Sequence, residues 1–215
     1  AMKTDDLIRT LAAGAEAVDP RAPRRRLLAA AAAGVALAVP VMIGTLGVNP
    51  HLEQAASVSM FWIKLGFVAA VAAAAFAVAL SLGRPGASAR RSGVALAVPF
   101  ALLWLLAAAA MVGASVPDER AALLLGSTWT ACPLNIAMLS APALPLLLWA
   151  MRSAAPTRPA VAGAAAGLLA GGLGATVYTL HCPELAAPFI GVWYVLGMAI
   201  PAAIGAVAGW FLPRW

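Results

Sequence analysis

The sequence predicts an all-α integral membrane protein with six transmembrane helices, both termini cytoplasmic, and a short cytoplasmic amphipathic helix before the first span. Three observations predict it. First, the chain of 215 residues is 63% hydrophobic and only 10% charged, against about 25% charged in an ordinary soluble domain. Second, apolar blocks of about 19–24 residues recur along it, and that length suits a hydrocarbon core of roughly 30 Å. Third, the basic residues sit in short runs between alternate blocks. This composition excludes a water-soluble globule, a disordered regulator and a nucleic-acid-binding domain. The net charge of +6 therefore reports orientation in a membrane, with no direct nucleic-acid contact.

Ala1, standing before Met2, reads as an artificial addition. Residues 2–26 are polar and charged, and 1–26 form the cytoplasmic segment. Residues 27–215 form the membrane domain, with spans at about 27–48, 60–82, 93–115, 133–151, 160–180 and 189–212. The first block is too long for a cleaved signal peptide and lacks a clear small-residue cleavage site. Lys3, Arg9, Arg21, Arg24, Arg25 and Arg26 precede span 1. Arg84, Arg90 and Arg91 lie between spans 2 and 3, Arg152 and Arg158 between spans 4 and 5, and Arg214 follows span 6. Twelve of the 14 basic residues thus fall on one side, and only Arg120 falls on the other. The positive-inside rule makes the rich side, with both termini, cytoplasmic. Trp62, Trp129 and Tyr178 mark the outer boundary, and Trp149, Trp210 and Trp215 the inner one.

Small residues predict how the spans pack. Span 5 carries Gly163, Gly167 and Gly171 at four-residue spacing, and span 6 carries Gly205 and Gly209. Such stripes let helix backbones approach closely in lipid. Pro40, Pro99, Pro142, Pro145 and Pro201 are positions where spans could break.

Residues 4–18 read as an amphipathic helix, with Thr4 as N-cap and Asp5 and Asp6 in the first turn. Leu7, Ile8, Leu11, Ala15 and Val18 fall within an arc of about 100°. Pro20 and Pro23 end the helix. Over residues 3–19, Lys3 and Arg9 stand against Asp5, Asp6, Glu16 and Asp19, a net charge of −2. Helices that lie on membranes are rich in Lys and Arg. An acidic helix with an apolar stripe better suits a groove on a basic protein partner, and at this length it would firm up on binding.

Both cysteines and both histidines fall on the outer side. Cys132 opens span 4 and Cys182 closes span 5, so the two sulfurs stand at the top of one helical hairpin. Each cysteine precedes a proline, which would place it at a helix N-cap. A helix N-terminus lowers a thiol pKa, and protonated His181 would lower that of Cys182 further. Three readings stay open: a permanent disulfide, a switchable pair, or a zinc or cadmium site completed by His181 and His51 or Glu184. Lys64, about one turn inside the outer boundary, either snorkels to the headgroups or acts at the site. In the second case it would stabilise a thiolate or pair with Glu53 or Glu184. Trp193 and Tyr194 read as packing residues.

Several strings resemble the NrsF family of membrane anti-sigma factors. They are the opening Met2 to Ala12, Phe61-Trp62-Ile63-Lys64-Leu65, Trp129 to Pro133, His181 to Glu184, Trp193 to Gly197, and Arg214-Trp215. Pro213 departs from the pattern in the last turn of span 6. The resemblance covers nearly the whole chain and implies a six-span inner-membrane regulator, not an enzyme. Its N-terminal segment would hold an extracytoplasmic-function sigma factor inactive, with Asp5, Asp6, Leu7, Ile8 and Leu11 as the contact residues. It further implies that Cys132 and Cys182 are a sensor pair for heavy metal or oxidative stress, with no cofactor required. Two rival classes are a small transporter or channel and a membrane thiol oxidoreductase. No Asp or Glu lies inside a span and no close Cys-x-x-Cys pair is present.

Overall fold

The computed structural model describes residues 4–13, 19, 21–83, 90–152, 154 and 156–211. Among the described residues every regular element is helical. In chain order they are α1 (Thr4–Ala13), α2 (Ala22–Thr45), α3 (Leu52–Ala56), α4 (Ser59–Leu82), α5 (Arg90–Gly113) and α6 (Pro117–Leu125). Then come α7 (Cys132–Ser140), α8 (Ala143–Arg152), α9 (Pro159–Tyr178), α10 (Ala187–Phe189), a π-helical turn (Ile190–Tyr194) and α11 (Val195–Trp210).

The spans α2, α4, α5, α9 and the run Ala187–Trp210 are each long and apolar enough to cross a bilayer. The pair α7 and α8 makes a sixth if read as one span bent by 47°. The block over 133–151 is therefore broken, at one of the five prolines where a break was open. Pro142 lies in the break, where its ring removes an N–H and crowds the carbonyl four residues back. Pro40, Pro99 and Pro201 sit inside α2, α5 and α11 without ending them. Two short helices that the hydropathy pattern did not anticipate, α3 and α6, lie in the connections at the cysteine end of the bundle.

α9 is the central helix and packs on α11, α4, α7, α8 and α2. The expected close packing of spans 5 and 6 is present. A methyl group on Gly163 would fall on the Gly205 carbonyl, and one on Gly167 on that of Pro201. A Cβ on Gly171 would stand 2.9 Å from the Met198 Cα. Gly172 gives the same intimacy to α4, 3.0 Å from the Ala72 Cα. Backbones this close contact through van der Waals forces, since lipid gives helices no hydrophobic reason to associate. α5 lies at the rim with almost all of its length uncovered.

At the other end of the bundle α2 packs on α8. Leu27 and Ala30 of α2 share an apolar cluster with Leu147, Ala150 and Met151. α1 carries Asp5 and Asp6 in its first turn as expected, although Thr4 is its first helical residue. Asp5, Asp6, Ile8 and Arg9 are exposed. The side chains of Leu7 and Leu11 lie outside the described set, as do Lys3, Ala15, Glu16, Val18, Pro20, Arg84, Pro213, Arg214 and Trp215.

Candidate functional site

The two sulfurs meet. Cys132 is the first residue of α7, and its N–H donates to the Thr128 carbonyl at 2.9 Å, closing the turn that leads into the helix. Cys182 follows the end of α9, with its N–H on the Tyr178 carbonyl at 3.0 Å. Both are free thiols, 0% and 2% exposed, and lie within interaction range of each other.

Neither cysteine is a helix N-cap. Ala131 caps α7, and the residues after Pro183 run without helix to Ala187. The thiols are also less open than their place at a hairpin tip suggested. Residues of the hairpin and of the final span, among them Tyr178, Phe189 and Tyr194, enclose them in the main apolar cluster. The Cys182 thiol is held below its ordinary range, first because Cys132 hydrogen-bonds to it, and then by the Lys64 charge. Burial opposes both effects.

Lys64 does not snorkel. It is 0% exposed, and its ammonium donates to the Cys182 carbonyl at 2.9 Å and the Glu184 carbonyl at 2.9 Å. It also lies 5.3 Å from the centre of the Tyr194 ring. Buried cations require such compensation, because removing an ammonium from water without partners is prohibitive. The expected carboxylate partners are not used: Lys64 takes the backbone of Glu184, and Glu53 is exposed on α3.

The Glu184 carboxylate points elsewhere. Its Oε1 accepts from both the backbone N–H and the hydroxyl of Ser127, each at 2.7 Å. Gly126 makes this possible. Its φ of +55° is left-handed, and a Cβ there would stand 2.6 Å from the carboxylate. Ser127 lies five residues before Cys132 in the chain, so Glu184 ties the Cys182 turn to the turn that delivers Cys132.

Tyr178 and Tyr194 complete the surroundings of the sulfurs. Their rings are 5.7 Å apart, and Asn135 Nδ2 approaches the Tyr178 hydroxyl at 3.5 Å. The Tyr194 hydroxyl is buried without a well-formed hydrogen bond, and the Cys182 sulfur is its polar neighbour. Tyr194 reaches this place because it closes the π turn. One extra residue in a helical turn re-aims the side chains around it, and such turns recur at functional sites. The same turn directs Trp193 Nε1 onto the Leu124 carbonyl at 2.8 Å. Tyr194 is thus a site residue that sequence reasoning treated as packing, and Tyr178, Asn135 and Ser127 were missed as members. One signal was available: the chain has only two tyrosines, and both flank the cysteines.

The histidines do not join the pair. The His181 ring meets the Gly47 carbonyl at 2.9 Å and stacks near Tyr178 at 5.6 Å. His51 is exposed at the start of α3. Among the described residues no three His, Cys, Asp or Glu side chains come together to hold a metal ion. Two thiols, a buried ammonium and two phenols can instead support thiolate chemistry: alkylation, oxidation to a disulfide, or capture of a thiol-seeking agent.

The family model for NrsF, described as negative regulator of sigma F, matches residues 11–215. The chain is 49% identical over 214 residues to the probable anti-sigma-F factor NrsF of Azospira oryzae, covering both chains fully. It is 42% identical over 221 residues to the anti-sigma-F factor NrsF of Caulobacter vibrioides, again over the full length of both. No solved structure matches it. A family model that spans nearly every residue and two full-length relatives lead to one conclusion: the chain belongs to the NrsF family.

Proposed function

We propose that this protein is a membrane anti-sigma factor. In this reading it sequesters a sigma factor of the sigma F, extracytoplasmic-function type, and frees it when the Cys132–Cys182 pair is chemically changed. Its family and the names of its relatives support the first half. The observation that carries the second half is the buried pair of thiols at the end of the bundle opposite the start of α2. The reading includes six spans with both termini in the cytoplasm, counting α7 and α8 as one, and residence in the bacterial inner membrane. Residues 1–26 are then the sigma-binding segment, through Asp5, Asp6, Leu7, Ile8 and Leu11. An Ile8 side chain that is 57% exposed suits such a contact.

The inducer in this reading is an oxidant or a soft metal such as zinc or cadmium, which two thiolates favour. The signal has a route. Cys132 opens α7, α7 is hinged to α8, and α8 packs on α2, which lies directly after the N-terminal segment. Moving a two-state equilibrium from 1:99 to 99:1 takes about 5.5 kcal/mol of differential interaction. A crosslink between the cysteines, worth about 2–4 kcal/mol, supplies a large share.

Two experiments test the proposal. Co-purification with sigma F should be lost in the Leu7→Asp plus Leu11→Asp variant, and retained binding would remove the N-terminal helix from the interface. Single Cys132→Ser and Cys182→Ser replacements should abolish induction of sigma-dependent genes by oxidant and by cadmium. Unchanged induction would reduce the pair to a packing feature.

A further inference from the structure

The Cys182–Glu184 turn is gripped from two directions. From α4, the Lys64 ammonium holds the carbonyls of Cys182 and Glu184, each at 2.9 Å. From the segment before α7, Ser127 holds the Glu184 carboxylate through two bonds of 2.7 Å. No helix runs through residues 183–186 to fix the turn. Lys64 lies inside α4 and is 0% exposed, and its burial is tolerable only while both carbonyls stay in place. Fastening Lys64 and fastening the Cys182 backbone are therefore one event.

We propose that Lys64 and Glu184 are the positioning residues of the sulfur pair: together they clamp the Cys182 turn so that its sulfur lies on that of Cys132. The inference deepens the proposed function and rests on the pair being reactive. The reaction it serves is formation of the Cys132–Cys182 bond. The two S–H bonds break, two protons and two electrons pass to an oxidant, and the S–S bond forms. With diamide as the probe, the diazene is reduced to the hydrazine. Small losses of alignment between reacting atoms cost large factors in rate, on the order of 100-fold for ~1 Å.

The test uses the full chain in membrane vesicles. It follows diamide-driven pairing by non-reducing electrophoresis, and alkylation of the same cysteines by N-ethylmaleimide. Lys64→Met should slow pairing by about ten-fold or more while speeding alkylation, because a released turn separates the sulfurs and uncovers them, and access to sulfurs that are 0% and 2% exposed outweighs the lost Lys64 charge that favours the thiolate. Ser140→Ala, which removes another buried hydrogen bond, to the Ile136 carbonyl, should leave both rates at the parental level. Opposite changes in Lys64→Met with an unchanged Ser140→Ala establish the clamp. Parental pairing in Lys64→Met, or equal slowing in Ser140→Ala, overturns it. Should Lys64→Met fail to fold, Glu184→Ala, at a partly exposed position, decides by the same criteria. No sigma factor takes part in these rates. Loss of the clamp and failure of the anti-sigma reading are therefore separate outcomes.

Discussion

Gly34 of α2 and Ala143 of α8 meet so closely that a Cβ on Gly34 would stand 2.5 Å from the Ala143 Cβ and 2.8 Å from its Cα. Ala143 is the first residue after the break that separates α8 from the cysteine-bearing α7. Gly34 belongs to the helix that follows the N-terminal segment. In the proposed mechanism this contact is where a movement of α7 and α8 reaches α2. Gly34→Ala should force the two helices apart and cost about 1–3 kcal/mol. Thermal unfolding in detergent checks the cost. In the proposed mechanism the same variant releases sigma factor without an inducer, which a reporter gene would detect.

The seam between α9 and α11 has less freedom still. Gly167→Ala would set a methyl group against the Pro201 carbonyl, a backbone atom that cannot rotate away. Loss of well-folded protein is expected, read by gel filtration. Gly66→Ala is the control, since nothing lies within 4 Å of its added methyl. Replacing a mid-helix glycine by alanine gains about 1 kcal/mol of helix propensity. The control should therefore be at least as stable as the parent.

Because the Cys182 thiol is held below the ordinary thiol range by Cys132 and Lys64, its thiolate should persist at neutral pH. Thiolate is the reactive form. Alkylation of Cys182 in the Cys132→Ala variant, which removes the donor, tests how much of this survives without it, and the intact chain gives the full effect. In the intact chain the rate should be nearly flat from pH 7 to 9, and fall as pH drops through the lowered value. An ordinary thiol of pKa about 8.5 would gain about 25-fold across the same interval. The linked stability has the matching sign: it is fully present above the ordinary thiol value and is lost as pH falls through the lowered one.

Trp193 fastens the π turn to α6 through its bond to the Leu124 carbonyl, and to the turn before α7 through its contact with Trp129, whose ring centre is 5.1 Å away. Trp193→Phe keeps an aromatic ring and removes the donor. The expected cost is about 0.5–1.5 kcal/mol, with faster amide exchange in residues 117–125 as the local signature. Unchanged exchange there would mean that the bond does not hold α6.

Hydropathy runs and small-residue spacing in the sequence by themselves determined an all-helical membrane protein, five of its spans, the seam between Gly163, Gly167 and Gly205, and the arrival of Cys132 and Cys182 at the same end of one hairpin. These are legible because they follow from local periodicity and chain direction. The tertiary structure alone decided that the sulfurs are buried, that Lys64 serves the Cys182 and Glu184 carbonyls rather than the headgroups, and that His181 turns away to Gly47. It also placed Tyr194 beside the sulfurs, through a π turn with no compositional signature, and broke the fourth span at Pro142 while Pro40, Pro99 and Pro201 left their helices whole. The physical reason is the same in each case. A buried polar group is settled by the partners that separate helices bring to it, and those partners are distant in the chain.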